Sequence, residues 1–493
     1  MLQLALAVVV GSGCAGPRSG SIHAGPLYRS TPDFEGHAGF RAMGPLVEHR
    51  RATSGKSFTA VRPFWGRVSD PAQARTVNDV LWPLSVFKTR QGELYWWLWP
   101  AFGHDFDVEA PASRHRWTVF PILFGGRNAE GDGYFAVFPL GGTLRDILGR
   151  DRSWFVLFPL YASSWQGENH TRSVLWPVYS HTRGGDLSRW RVWPLYGYSH
   201  NPERWTKRFV LWPIWTSVEY HYPDQEGGGF VLFPLYGKVD LLDRQSRMLL
   251  PPFFKLEWGE TDHLAFHAPW PILQYVRNPD QNRFYVFPLG GRRRIGHDHS
   301  WFALWPVMSG RRTERPREIV TQFRFVPFWY YEHVRSRVRP QTEPEQPALP
   351  AESAESLSRY MRLWPLALYR RERDHSVTRV PDLWPLRQTP GIERNWAPLW
   401  TLYQRERAGD RTLTELLWGM VRWKRSDACR ELRIFPVVES HHGLDARSWR
   451  FLYGLLGYRR DDLQKSYQLL YFLRIRRDIA EQAEPREEGS VLP

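Results

Sequence analysis

Residues 155–200 read FVLFPLYASSWQGENHTRSVLWPVYSHTRGGDLSRWRVWPLYGYSH, and one phrase occurs there three times: an aliphatic residue, Trp or Phe, Pro, then an aliphatic residue and Tyr. Its proline can be followed along the chain as Pro63, Pro83, Pro100, Pro121, Pro139, Pro159, Pro177, Pro194, Pro213, Pro234, Pro252, Pro271, Pro288, Pro306 and Pro327. The step averages about 19 residues, the size of one supersecondary unit, so the chain has to fold as an array rather than around one irregular core. Weaker copies stand at Pro26 and Pro45, and later ones at Pro365, Pro385, Pro398 and Pro436, with Gly419 and Gly454 where Pro is expected. A longer period overlies the short one. VFPLGG followed by SWF recurs at Phe138 and Trp154, at Phe287 and Trp301, and more faintly at Phe435 and Trp449. These copies lie roughly 148 residues apart, as if an eight-unit block had been duplicated.

Each unit holds an apolar run of about six residues, rich in Val, Phe, Trp and Tyr and bounded by Gly, Asn, Asp and Pro, which is the pattern of a β-strand. The fold class that follows is all-β: a repetitive up-and-down antiparallel meander of about two dozen short strands, one per unit. A propeller, a solenoid and a sandwich all satisfy it, with a closed barrel as the alternative. Proline donates nothing to a ladder, so a proline at the centre of every strand predicts a bulge or kink that curves the sheet along one line. Alternation around Pro213 puts Phe209, Leu211, Pro213 and Trp215 on one face and Val210, Trp212 and Ile214 on the other, both apolar, which predicts a sheet packed on both sides.

The chain carries 26 Trp, and aromatic residues make up 15% of it. An aromatic side chain buries 150–250 Å², roughly 4–6 kcal/mol at about 25 cal/mol per Å², so most of the tryptophans are expected in a core. A minority outside the central phrase, Trp165, Trp190, Trp205 and Trp258, are the candidates for lining a ligand groove.

The first fourteen residues, MLQLALAVVVGSGC, form a short apolar run closed by small residues and a cysteine. The stretch resembles the bacterial lipoprotein signal, in which the cysteine becomes the acylated first residue of the mature chain. Ser12 and Gly13 fit that pattern, whereas Gly11 stands where a large aliphatic is usual and the basic n-region is missing. The resemblance implies export, lipidation at Cys14 and, with no Asp after it, sorting to the outer membrane. The one other cysteine is Cys429, so lipidation of Cys14 leaves no intrachain disulfide.

The organisation expected is a signal at 1–14, an N-terminal segment with weak repeats at 15–55, the main repeat region at 56–338, a flexible linker at 339–358, a second repeat region at 359–475 and a disordered tail at 476–493. The formal charge is +15, from 66 Lys+Arg against 51 Asp+Glu, and is spread through the turns with no basic block longer than Arg292–Arg294. Such a surface suits anionic polysaccharide, lipid headgroups or envelope proteins better than specific nucleic-acid recognition. The densest histidine sites are His297 with His299, and His441 with His442, but the first long block has none at that place, and polar turn residues are the simpler reading. No nucleophile elbow, phosphate loop or HExxH occurs, so no catalytic residue, metal or cofactor is assigned. The function expected is a non-catalytic, lipid-anchored envelope protein with a structural or binding role. The alternatives are a large outer-membrane barrel for passage or transport and a protein that binds or acts on polysaccharide.

Overall fold

The structure, a computed structural model, describes residues 22–30, 38–52, 54–110, 113–223, 226–260, 262–337, 356–387, 389–443, 446–461 and 464–478. These form 46 short strands, β1 (Ile22–Ala24) to β46 (Leu473–Asp478), and two brief helices, Pro390–Asn395 and Ala397–Trp400. The all-β antiparallel meander is therefore the fold, with about twice the expected number of strands. The reason is local. The phrase does not sit inside a strand; it is itself a tight turn, so every unit supplies two strands.

The opening stretch shows how. The strand β15 (Arg150–Val156) ends at Leu157, the chain turns through Leu157–Leu160, and β16 (Tyr161–Gln166) returns beside it. A polar turn at Gly167 and Glu168 leads into β17 (Asn169–Val174). The next phrase, Leu175–Val178, turns the chain again. All fifteen prolines followed from Pro63 to Pro327 follow a cis peptide bond, the turn geometry that takes proline at its third position. Placed there, proline removes no donor from a ladder, and the expected kink at strand centres does not exist. Pro213 is likewise in a turn, so the two apolar faces assigned around it dissolve into the end of one strand, a turn and the start of the next. Where the phrase degenerates, the turn survives at Gly25, Gly44, Gly419 and Gly454, each with positive φ. It fails at Pro385, in an irregular segment, and at Pro398, inside the second helix.

The chain divides into two compact units, residues 73–393 and residues 1–72 with 394–493. In the larger unit every strand from β7 (Arg75–Val80) to β37 (His375–Val380) pairs antiparallel with its neighbours in sequence, and among the described residues no ladder joins β7 to β37. The closed barrel is thus not formed. In the smaller unit β1 to β6 (Trp65–Asp70) form one meander and β38 (Tyr403–Ala408) to β46 another. Ion pairs from Arg29 and Arg41 to Glu415 join them, and within the first meander Glu48 takes Arg41 at 2.9 Å, Arg50 at 2.7 Å and Arg62. The expected linker lies mostly outside the described residues, but Ser356–Ser358 already belong to a strand, Ser356–Leu363. Of the expected tail, Arg476–Asp478 complete β46. Residues 1–14, with Cys14, lie outside the described residues.

The expectation that tryptophan forms the core fails. No tryptophan is among the buried hydrophobic residues, and 14 of the 26 are exposed. A meander whose strands pack mainly on their chain neighbours offers little second layer to cover indoles, and what it buries is often small, as at Ala136, Ser173, Ser180, Thr182, Ser246 and Ala265, beside a few larger rings such as Phe155, Tyr134 and Tyr360. Several indoles instead lie across a glycine on the neighbouring strand, as Trp96 does on Gly103, Trp117 on Gly125 and Trp301 on Gly310. A Cβ at Gly310 would stand 2.3 Å from the Trp301 Nε1. Gly310→Ala is expected to lower the free energy of unfolding by about 1–3 kcal/mol, as overpacking does. An unchanged denaturant midpoint would show that the indole is not seated there.

Candidate functional site

A groove of the larger unit lies on one face of six consecutive strands: β19 (Ser188–Val192), β20 (Tyr196–Asn201), β21 (Trp205–Val210), β22 (Trp215–Tyr220), β23 (Gly227–Leu232) and β24 (Tyr236–Leu241). Alternation selects its residues. Arg189 and Arg191 point the same way on β19, and the register carries that face through Gly197 and Ser199 to Phe209, Lys207 and Trp205, then to Thr216, Val218 and Tyr220, and to Val231 and Gly229. The groove holds about 480 Å³, in the range of small-ligand sites. Gly197 and Gly229 form its floor: a Cβ at Gly197 would stand 2.0 Å from the Phe209 ring, and one at Gly229 2.5 Å from the Lys238 carbonyl oxygen. Any side chain there would fill the space or displace the ring above it.

Charge is unevenly placed. Arg189, Arg191 and Lys207 stand on that face, Arg208 borders the groove from the alternate position, and no carboxylate lines it among the described residues. The guanidinium of Arg189 donates from Nε to the Ser199 hydroxyl at 3.0 Å, and that of Arg191 to the Ser180 hydroxyl at 2.7 Å. The Lys207 ammonium sits 4.6 Å from the centre of the Trp205 ring. Each cation is thus held by a hydroxyl or a ring, with no carboxylate paired to it among the described residues. The consequence shows at Arg189, whose pKa is pushed down by burial first, then by Arg191 and Arg150. An anion would relieve that repulsion. Across the strands the character changes: cations gather on β19 and β21, whereas Phe209, Val218, Val231 and Val239 make the side towards β24 apolar.

Of the four tryptophans singled out from sequence, Trp205 stands on the face of this groove and Trp190 borders it from the alternate position. The others stand apart. Trp165 stacks on His170 at 4.4 Å beneath Arg152, and Trp258 lies against Arg247. The cations were not singled out, although SRWRV and RWTKRFV carry the signal: charges spaced by two share one face of a strand. A second, smaller groove of about 280 Å³ lies on the same face further along, with Phe302, Trp305, Arg311 and Arg324, but there Arg311 is paired with Asp298 at 2.9 Å. Among the described residues no group of three His, Cys, Asp or Glu could hold a metal ion, and His297, His299, His441 and His442 form no such cluster. No family model matches the sequence, and no curated protein matches it.

Proposed function

We propose that this is an exported, lipid-anchored protein of the cell envelope with a binding and scaffold role, whose groove on β19 to β24 takes an anionic amphiphile. The observation that carries the reading is the set of three cations on one face, Arg189, Arg191 and Lys207, over a glycine floor with no carboxylate lining the groove among the described residues. Cations that repel one another and are held by hydroxyls are poised for a phosphate or carboxylate head. The apolar side formed by Phe209, Val218 and Val231 matches an acyl or ring body next to it. A lining of cations and rings favours binding over hydrolysis of a sugar chain, which needs two carboxylates flanking the bond. Passage through a transmembrane barrel is less well supported, because the strands run three to eight residues against the nine to eleven that span a bilayer. Export and the anchor rest on the N-terminal sequence.

The test is a titration of the chain with dodecyl phosphate below its micellar concentration, followed by tryptophan fluorescence and calorimetry, with dodecyl maltoside as the neutral comparison. Binding of the phosphate that weakens with added salt, and is much tighter than that of the maltoside, is expected. Equal affinity for the two would contradict the reading.

A further inference from the structure

The larger unit has two unlike rims. Because the phrase forms every second turn, all of its copies fall at the same end of the strands, and the turns between them fall at the other. The opposite rim is polar, with Glu168, Asp186, Glu203, Arg204, Asp243, Glu260 and Asp280 at its tips. The phrase rim, from Leu81–Leu84 to Trp364–Leu366, contains no charged residue in any turn. It is also exposed, as at Trp99, Trp176, Trp212 and Trp305 and at the leucines that follow proline.

The register gives the depth of this band. The strand residues next to each turn, such as Val156 and Tyr161, Val174 and Tyr179, or Val210 and Trp215, are uncharged throughout. Cations begin at the second and third positions: Arg172, Arg191, Arg208, Lys238, Arg247, Lys255, Arg292, Arg324 and Arg362. They alternate with Trp154, Trp190, Phe230, Phe284 and Trp301. Apart from Asp79, 1% exposed and two residues before Leu81, no carboxylate up to Tyr369 stands in a phrase turn of this rim or within three residues of one; Asp240, Glu257 and Glu332 come later along their strands. At about 3.3 Å per residue, an uncharged band is followed some 7 Å further in by a level of positive charge and aromatic rings.

The backbone of this rim is satisfied internally. In the turn Leu157–Leu160, the Leu157 N–H donates to the Leu140 carbonyl at 2.7 Å, the Phe158 N–H to Pro139 at 2.7 Å and the Leu160 N–H to Leu157 at 2.8 Å, while Pro159 has none to place. The turns at Leu175, Leu211 and Leu304 repeat the arrangement. Such a rim can leave water without stranding a backbone donor, which is the condition a lipid phase imposes.

The geometry points to a bilayer surface carrying anionic lipid as the occupant of the phrase rim, with its leucines and tryptophans seated at the headgroup and acyl boundary. The depth of the uncharged band agrees with the 5–10 Å to which interfacial segments enter. Lys238 and Arg247 of the level behind it pair with Asp240, Lys255 with Glu257 and Arg362 with Asp382, whereas Arg172, Arg191, Arg208, Arg292 and Arg324 have no carboxylate partner among the described residues and complement anionic headgroups. Trp beside Arg is the composition of such a boundary. Arg191 and Arg208 also line the groove, but the rim leucines do not.

The experiment takes the full chain with Cys14→Ser, so that no acyl anchor contributes, and measures partition onto vesicles of phosphatidylcholine and phosphatidylglycerol, whose negative surface attracts basic residues. It compares this with the same chain carrying Leu195→Glu, Leu235→Glu and Leu289→Glu, at positions 56%, 59% and 62% exposed. Thermal unfolding checks that the fold survives, as expected for exposed sites. At least tenfold weaker partition of the triple variant is expected, with dodecyl phosphate binding unchanged. Equal partition of the two chains, or no partition of the first, would overturn the proposal. So would a self-associated parent that the triple variant converts to monomer, because the rim would then be covered by a second copy.

Discussion

Glu48→Ala is expected to lower the free energy of unfolding by about 3–5 kcal/mol, the range for leaving a buried charge without its partner. Glu48 is 2% exposed and holds three guanidiniums at once, from Arg41, Arg50 and Arg62. Arg62 is 3% exposed and keeps two carbonyl partners, those of Pro45 and Arg394 at 2.6 Å each, but neither neutralises it. Replacing Glu48 by Leu together with Arg62 by Met should restore much of the loss, since an apolar pair removes both burial penalties. Denaturant titration of the three chains measures this. A Glu48→Ala chain as stable as the parent would mean that Glu48 does not neutralise the buried arginines around it. The same carboxylates set the acid limit. Burial raises the Glu415 carboxyl, yet Arg29, Arg41 and Arg422 outweigh it and hold it down at about 2, from 4.5. Glu48 is displaced in the same direction: burial opposes and its three arginines prevail. A carboxyl with a lowered folded pKa contributes stability above its unfolded pKa and loses it as pH falls towards the folded one. The parent should therefore hold a plateau down to about pH 4.5 and lose stability from there to about pH 2, and Glu415→Gln should flatten that slope.

The second large effect is expected at the groove. Removing Arg189, Arg191 and Lys207 together by alanine should weaken dodecyl phosphate binding by at least about a hundredfold, because a hydrogen bond to a charged group contributes about 1.5–3 kcal/mol and two would suffice. The three are partnered by Ser199, by Ser180 and by the Trp205 ring, none of which is left as an unpaired charge, so stability should change little. Arg277→Ala, near the polar rim and paired with Asp262, is the control and should bind as the parent does. If the triple variant and the control bind alike, the anionic head is held elsewhere.

What the sequence made legible was periodicity. Composition and the recurring phrase specify short antiparallel strands in a continuous meander, and the fold has them. The phrase's place was misjudged at Pro194 and Pro213 because six apolar residues followed by a turn read as one strand when the turn itself is apolar. Turns are ordinarily recognised by Gly, Asn, Asp and polar neighbours, and here half of them are built from Leu, Trp and Pro instead. That misreading carried the burial argument with it. Tryptophans counted as core, such as Trp176 and Trp305, stand exposed at a rim, and the free energy withheld from a core remains for another surface to claim. The groove was half legible: Trp190 and Trp205 stood out by type, whereas Arg189, Arg191 and Lys207 needed the register before they could be placed on one face.

The measurement that bears most directly on the two-rimmed sheet is oxidative footprinting of the full chain with and without phosphatidylcholine–phosphatidylglycerol vesicles, read residue by residue by mass spectrometry. Trp99, Trp176, Trp212 and Trp305 in the phrase turns should be strongly protected by the vesicles, and Tyr220 and Tyr222 near the polar rim should react as before. Protection of the polar rim instead, or no protection of the four tryptophans, would contradict the account.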